Sequence, residues 1–328
     1  MDDKQLIRIG LVGAGMMGST HSKAYQQVEG ARVVAICDNV QQRAATLADR
    51  LGAAVYSSVS EMLERIEIDA IDICIPTPQH REVVELAASK GKHILCEKPI
   101  ASSIEDAEAM IDICERNRVT LMVGHVTRFF PDYQTARKQV KSGEIGSPAV
   151  VRLIRSGAFP ERGWYSDYAQ SGGPLLDLAI HDFDYLLWTI GSVKRVFSRQ
   201  YTSHKQVHAL TLLRLENGTM AHVETSWAYP KGSPFQVALE IAGTEGLLEF
   251  NRSDATNVIQ YGTGQPQLAL HALKRNAYVR ELQHFIECIK TGQTPLTSGE
   301  QAKNALQVSL AALDSVQKGT PIQLEVRS

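Results

Sequence analysis

No apolar run in the chain approaches the roughly 20 residues that a membrane-crossing helix needs; the most hydrophobic stretches, such as residues 71–75, are strand-sized. No cluster of Lys and Arg stands out either. With 34 basic against 36 acidic residues and a formal net charge of −2, the chain lacks the basic footprint of a nucleic-acid reader. There is no CxxC pair, and the cysteine count of 5 is odd, which argues against a disulfide framework or a zinc site. Cys37, Cys74 and Cys96 lie in apolar strand-like runs, where a thiol packs as a small core residue. The first residues, Met1-Asp2-Asp3-Lys4, lack the basic start and apolar core of a secretory leader, so the expected compartment is the cytoplasm. His204 and His208 have metal-like spacing but no acidic partner nearby in their segment, and no metal is expected. Internal repeats and low-complexity linkers are also missing.

What is present is an ordinary globular balance, 44% hydrophobic and 21% charged over 328 residues, enough for two cores. The first third alternates short, wholly apolar runs (6–12, 32–37, 53–56, 70–75, 93–96, 120–123) with amphipathic helical stretches (41–51, 78–89, 104–116). That rhythm predicts a doubly wound parallel sheet covered on both faces. Gly91 reads as a helix stop, and Ser102-Ser103 with Asp106 reads as a helix start. After Gly124 the pattern changes. A helix over 133–141, a strand over 149–155 and a long helix from about Pro174 to Thr189, stopped by Gly191, give way to consecutive strands. Runs 208–215 and 219–227 flank Asn217-Gly218 and read as a hairpin with a primed turn; 235–242 and 247–250 read as another. Helices near 277–290 and 298–318 and a short strand at 322–326 close the chain. The expected fold is thus an α/β N-terminal domain over 1–124 and an α+β domain with a large, mostly antiparallel open sheet over 125–328.

Between the first strand and the first helix stands Gly13-Ala14-Gly15-Met16-Met17-Gly18, a GxGxxG run in the context that makes it a dinucleotide (Rossmann) fingerprint. Gly13 permits the tight turn, Gly15 lets backbone approach a pyrophosphate, and Gly18 allows close helix–strand packing. The helix start supplies amide donors. Asp38 ends the second strand about 20 positions after Gly18, where a carboxylate can accept from the adenosine ribose and repel a 2′-phosphate. NAD is therefore expected over NADP. Two alternatives stay open: Asp38 as a mere cap on the helix that follows, and Arg43 as a cation able to meet a 2′-phosphate.

At the end of the fourth strand lies Ile75-Pro76-Thr77-Pro78-Gln79-His80, and at the end of the fifth Cys96-Glu97-Lys98-Pro99, both where doubly wound sheets place ligands. With the glycine fingerprint, these residues resemble the family of glucose–fructose oxidoreductase, inositol dehydrogenase and MocA proteins, whose most specific mark is the Glu-Lys-Pro tripeptide. The resemblance runs over essentially the whole chain. It includes Gly124-His125-Val126-Thr127-Arg128-Phe129 and Gly172-Gly173-Pro174-Leu175-Leu176-Asp177-Leu178-Ala179-Ile180-His181, with Pro174 standing where many members have a third glycine.

The resemblance implies an NAD-dependent oxidoreductase acting on a secondary alcohol or carbonyl of a sugar, inositol or related polyol, working as a homo-oligomer, a tetramer foremost. It implies Lys98, Asp177 and His181 as catalytic residues, with Arg128 and Asp184 also reaching substrate. Gly13 to Gly18, Asp38, Pro76, Thr77, His80, Glu97 and Lys98 are the implied cofactor contacts. The residue types suit the chemistry. A neutral imidazole accepts the hydroxyl proton, an ammonium steadies the alkoxide, and a carboxylate holds a neighbouring hydroxyl or orients the histidine. Asp177 and His181, four apart on one expected helix, would share a face. Each also has a bland reading: a helix-start acid, a helix-face histidine and a surface lysine. Trp164, Tyr165 and Tyr168, and less so Tyr278, could line a sugar pocket or simply pack a loop. Two other readings stay open on the same scaffold, a glycosidase-like enzyme that retains its NAD and a non-catalytic nucleotide sensor.

Overall fold

The computed structural model describes residues 6–161, 163–204, 206–251, 258–261, 267–269 and 276–325. They form two compact units. The first holds the chain up to Phe129 together with 276–303, and the second holds Phe130 to 269 together with 304–325. This differs from two consecutive domains meeting at 124/125. The chain crosses five residues later, and a C-terminal segment returns to the first unit.

In the first unit, strands β1 (Ile7–Val12), β2 (Ala31–Cys37), β3 (Ala54–Tyr56), β4 (Ala70–Ile73), β5 (His93–Glu97) and β6 (Leu121–Gly124) pair in the order β3-β2-β1-β4-β5-β6, every pair parallel. The order reverses at β1/β4, the switch point where such sheets bind ligands. Helices α1 (Met16–Tyr25), α2 (Gln41–Leu51), α3 (Val59–Arg65), α4 (His80–Ser89) and α5 (Ile104–Arg116) connect the strands. Their ends follow local chemistry. The Ser103 hydroxyl accepts the Asp106 N–H at 3.1 Å, and Gly52 and Gly91 take the left-handed conformation that stops α2 and α4. Helix α3, started by Ser58, has no counterpart among the expected elements because its 7 residues are too few to show a period.

The second unit begins with α6 (Pro131–Lys141), β7 (Pro148–Ala158), α7 (Tyr168–Ser171), α8 (Gly173–Asp177) and α9 (Ala179–Thr189). The long helix expected from Pro174 is broken at Leu178, whose backbone leaves ideal helical geometry at φ −98° and closes a turn back to Pro174. Strands β8 (Val193–Ser203), β9 (Gln206–Leu215), β10 (Met220–Tyr229), β11 (Gln236–Gly243), β12 (Leu247–Asn251), β13 (Val258–Tyr261) and β14 (Gln267–Ala269) follow. After α10 (Ala277–Thr291) and α11 (Gly299–Lys318) comes β15 (Ile322–Gln323). The sheet order is β14-β13-β12-β11-β7-β10-β9-β8-β15, parallel only where β7 inserts beside β10. Both expected hairpins form. The first turn is not a primed one, however. Its register pairs Met220 with Arg214, and Leu215 donates to the Thr219 carbonyl, leaving a three-residue loop with Gly218 left-handed (φ +89°) and Asn217 not.

One face of this sheet carries the core, with Val151, Leu153, Val223, Ile241 and Phe250 packed under α6, α9 and the later turns of α11. Inside that layer the Arg155 guanidinium on β7 grips Asp182 of α9 at 2.7 and 3.1 Å and donates to the Tyr133 hydroxyl at 3.0 Å. Burial works against the guanidinium, but the Asp182 charge outweighs it and keeps Arg155 protonated. Removing one partner of such a pair strands the other charge. Asp182→Ala is therefore expected to destabilise the fold by about 3–5 kcal/mol, measured by urea unfolding; a loss under about 1 kcal/mol would show the pair to be inert.

Candidate active site

The glycine turn is built as its spacing requires. Gly13 has φ +95°, and a Cβ there would lie 2.4 Å from the Cys74 carbonyl oxygen. At Gly18 a Cβ would stand 1.8 Å from the Gly13 carbonyl oxygen, so α1 seats on the end of β1 only without a side chain. At Gly15 nothing lies within 4 Å. Backbone there faces open space, at the start of a helix whose first turn has no acidic residue and no side-chain cap. An uncapped helix start with open space before it is able to receive an anionic group. Met16 is exposed and Met17 half-buried beside it.

Asp38 stands over this turn. Its Oδ2 accepts the Ala14 N–H at 2.6 Å and its Oδ1 the Val40 N–H at 2.7 Å. Ala14, expected to give its amide to the cofactor, gives it to Asp38 instead. The carboxylate has further lone pairs, so it can fix the turn and still accept from a ribose hydroxyl. Asp38 is not the cap of the helix that follows, since α2 begins at Gln41 after Val40 and has no side-chain cap.

At the end of β4, Pro76 leads into a 3₁₀ turn at Thr77–Gln79, with Thr77 buried. His80 is buried too, its Nε2 2.9 Å from the Ile75 carbonyl and its Nδ1 3.2 Å from that of Ile100. Burial holds its pKa below the ordinary value. The ring thus braces the turn from within.

At the end of β5, the Lys98–Pro99 peptide is cis and Lys98 is half-buried. Its N–H bonds Glu97 Oε2 at 3.1 Å. Glu97 is itself buried, in space that Gly124 leaves free: a Cβ at 124 would be 3.1 Å from its carboxyl carbon. Next to Glu97 sit residues that the motif reading passed over. His21 of α1 has no exposure; its Nδ1 is 2.8 Å from Asp72 Oδ2 and its Nε2 3.1 Å from Glu97 Oε1. Burial alone would drive the proton off His21, but Asp72 and Cys74 raise its pKa well above the ordinary value. Burial alone would likewise raise Glu97, and His21 and Lys98 pull it below the usual carboxylate range instead. The available signal was Asp72 itself, a carboxylate inside a strand otherwise apolar on both faces, which requires a partner.

Tyr278, expected in the second domain, belongs to the first unit. It opens α10, with its ring 5.9 Å from that of His21, and burial with the nearby Glu97 charge pushes its pKa up to about 12. Arg128 is held inward as well. Only 2% exposed, it donates from Nη1 to the Leu296 carbonyl at 2.6 Å and to Gln301 Oε1 at 2.7 Å, tying the end of β6 to the C-terminal segment.

In the second unit, Asp177 ends α8 and His181 lies in the first turn of α9, both half-buried, on opposite sides of the Leu178 break. The His181 N–H bonds the Leu178 carbonyl at 3.2 Å. The two side chains are therefore set by a kinked joint rather than by one straight face. Asp184 is fully buried on α9. Trp164 stacks on Tyr165 at 4.4 Å, and Tyr168 lies nearly parallel to Trp227 at 6.4 Å.

Comparison with known proteins gives the family. The model of an oxidoreductase family with an NAD-binding Rossmann fold, GFO/IDH/MocA, matches residues 7–125, and that of the GFO/IDH/MocA C-terminal domain matches 133–249. The chain is 31% identical to scyllo-inositol 2-dehydrogenase (NAD(+)) of Bacillus subtilis, over 98% of this chain and 97% of that one. It is 29% identical to myo-inositol 2-dehydrogenase of Thermotoga maritima, over 97% and 99%. Among solved structures, a probable dehydrogenase from Thermotoga maritima superposes with a TM-score of 0.84 at 28% identity, covering 97% of this chain and 98% of that one. A levoglucosan dehydrogenase in complex with NADH and L-sorbose shares the fold, with a TM-score of 0.90 at 23% identity over 98% and 99%.

The two glycines give a contrast that tests the turn. Gly15→Ala fits the open space and an ordinary φ, so the melting temperature should hold while the dissociation constant for NAD rises about tenfold, a cost on the order of 1.4 kcal/mol. Gly18→Ala should lower the melting temperature instead. Calorimetry on both variants checks this, and unchanged NAD affinity in Gly15→Ala would refute the assignment.

Proposed function

The chain belongs to the GFO/IDH/MocA oxidoreductase family, and from that premise we propose that it is an NAD-dependent dehydrogenase oxidising a secondary alcohol of a sugar, inositol or related polyol. The observation that carries the cofactor half is Asp38, held on the glycine turn by two backbone N–H groups with lone pairs to spare. The glycine turn, the start of α1 and Asp38 would hold the dinucleotide, whose nicotinamide accepts the hydride from the carbinol carbon when bound.

The chain's own residues then handle the proton. His181 accepts it from the hydroxyl as general base, the Lys98 ammonium stabilises the alkoxide oxygen, and Asp177 holds a neighbouring hydroxyl or orients His181. Asp184, buried one turn after His181, is the further candidate for a substrate hydroxyl. Pro76 and Thr77 shape the floor of the cofactor site.

Rates of NADH formation with inositols, aldoses and uronic acids test the reading, with NADP expected to be at least about tenfold poorer in kcat/KM. On the fastest substrate His181→Ala should lose roughly 10²- to 10⁴-fold in kcat with NAD affinity little changed. A folded, NAD-binding His181→Ala with intact kcat would remove this residue from the mechanism.

The reading extends to assembly and compartment. Alternation along β9 buries Ala209, Thr211 and Leu213 and turns Leu210 and Leu212 outward. Met220 and Tyr201 join them on that face, at 58% and 64% exposure, against 55% for Leu212. Apolar side chains this exposed, on a sheet face opposite the core, suit a second copy of the chain, and a tetramer of two such dimers is the expected state. All five cysteines are free, as suits the reducing cytoplasm, and among the described residues no helix is long and apolar enough to cross a membrane. Sedimentation at micromolar concentration should show the oligomer, and Leu212→Glu should dissociate it without unfolding it. A wild-type monomer would contradict the assembly.

A further inference from the structure

The polar cluster under the Lys98 turn holds more charge than the reaction above uses. His21 comes from α1, Asp72 from β4 and Glu97 from the end of β5, all buried. Both ring nitrogens of His21 face carboxylate oxygens, Nδ1 toward Asp72 at 2.8 Å and Nε2 toward Glu97 at 3.1 Å. A neutral imidazole has one N–H, so it would leave a nitrogen lone pair facing an oxygen lone pair. In a buried site that arrangement is costly, whereas an imidazolium hydrogen-bonds Asp72 through Nδ1 and sets its positive charge against Glu97 on the Nε2 side.

Other groups face the same ring. The Cys74 Sγ lies 3.5 Å from Nδ1 and donates to Asp72 Oδ1 at 3.4 Å. The Tyr25 hydroxyl, one turn further along α1, is buried beside them, and α10 brings up Tyr278 and Glu281. Burial first, and then the Glu97 charge, pushes the Glu281 pKa up, which works against a second anion from that side. The Lys98 ammonium is the remaining charge near Glu97.

We propose that His21 is a positioning residue, an imidazolium held between two carboxylates that pins Glu97 beneath the Lys98 backbone N–H and so ties the cofactor-binding helix α1 to the turn carrying the ammonium. The chain of contacts runs from Asp72 through His21 and Glu97 to the Lys98 N–H. His21 stands three residues after Gly18, whose close approach to Gly13 seats the helix by itself, so the link runs from an already fixed α1 to the placement of Lys98. The proposal rests on Lys98 acting at the substrate oxygen as proposed above.

Two measurements test it. In wild-type enzyme with ¹³C-labelled histidine, the His21 Cε1 resonance, assigned by its loss in His21→Asn or by its change in Asp72→Asn, should report an imidazolium at about pH 8.5, where an unperturbed histidine is neutral. A neutral ring there overturns the proposal. In kinetics on the fastest substrate of the panel, His21→Asn and Glu97→Gln should each lower kcat about tenfold or more and shift its pH profile, with NAD affinity and KM within about threefold. The double variant should be no worse than the poorer single one, because both substitutions break the same link. Losses that multiply, or a pH profile that stays in place while melting temperature falls, would make His21 a packing residue and overturn the proposal. If His21→Asn does not fold, Glu97→Gln decides the kinetic arm: unchanged kcat overturns the link and lowered kcat at constant NAD affinity supports it. Lys98→Met separates the two readings. Full activity in that variant removes Lys98 from the mechanism, whereas the charge state of His21 is read independently of it.

Discussion

A Cβ at residue 18 would stand 1.8 Å from the Gly13 carbonyl oxygen, and on that absent atom the seating of α1 depends. With glycine there, the helix closes onto the end of β1 and points its unsatisfied amides at the open space around Gly15. Three residues further on, the same close approach carries His21 down to Asp72 and Glu97. One steric allowance thus sets both an anion site at the top of the helix and a buried charge cluster along its side. Asp38 locks the arrangement from the next strand by taking the Ala14 N–H.

The second unit solves a different problem, a broad sheet with a core on one face only. Arg155, Asp182 and Tyr133 join strand and helices by directional bonds inside an otherwise apolar layer. Such a pair adds little net stability over apolar packing, but it fixes the rotation of α9 against β7, because a sliding helix would leave the guanidinium unmet. His181 is the residue just before Asp182, so its direction is set by the same bonds.

Much of this was legible in the sequence. The parallel sheet followed from apolar runs at even spacing, and the roles of Gly13, Gly15 and Gly18 followed from their place between strand and helix. What escaped was of two kinds. Local geometry that depends on a single backbone angle, the break at Leu178 and an Asn217 that is not at positive φ, leaves no mark on a hydrophobic pattern. Side-chain partners distant in sequence were also hidden. Arg128 and His80 stand in motifs that suggest ligand contact, yet their polar atoms reach Leu296, Gln301, Ile75 and Ile100. Nothing in residues 276–303 announced that they would return to the first unit, since a helix packs on whatever apolar surface its stripe meets.

The buried cluster carries its charges with little net excess, and that balance bears on the chemistry. Asp72 and Glu97 each bring a negative charge into a buried site, and His21 can neutralise only one of them. Were Glu281 ionised as well, three carboxylates would crowd one imidazolium; burial and the Glu97 charge work against that by pushing its pKa up. The residue next in sequence to Glu97 is Lys98, whose charge helps to keep that carboxylate ionised. The ammonium that faces the alkoxide in the proposed reaction is thus also the counter-ion of the cluster beneath it. Its field at the substrate oxygen is strongest when the imidazolium already satisfies Glu97 from the other side, because a carboxylate shared between two cations draws less on either.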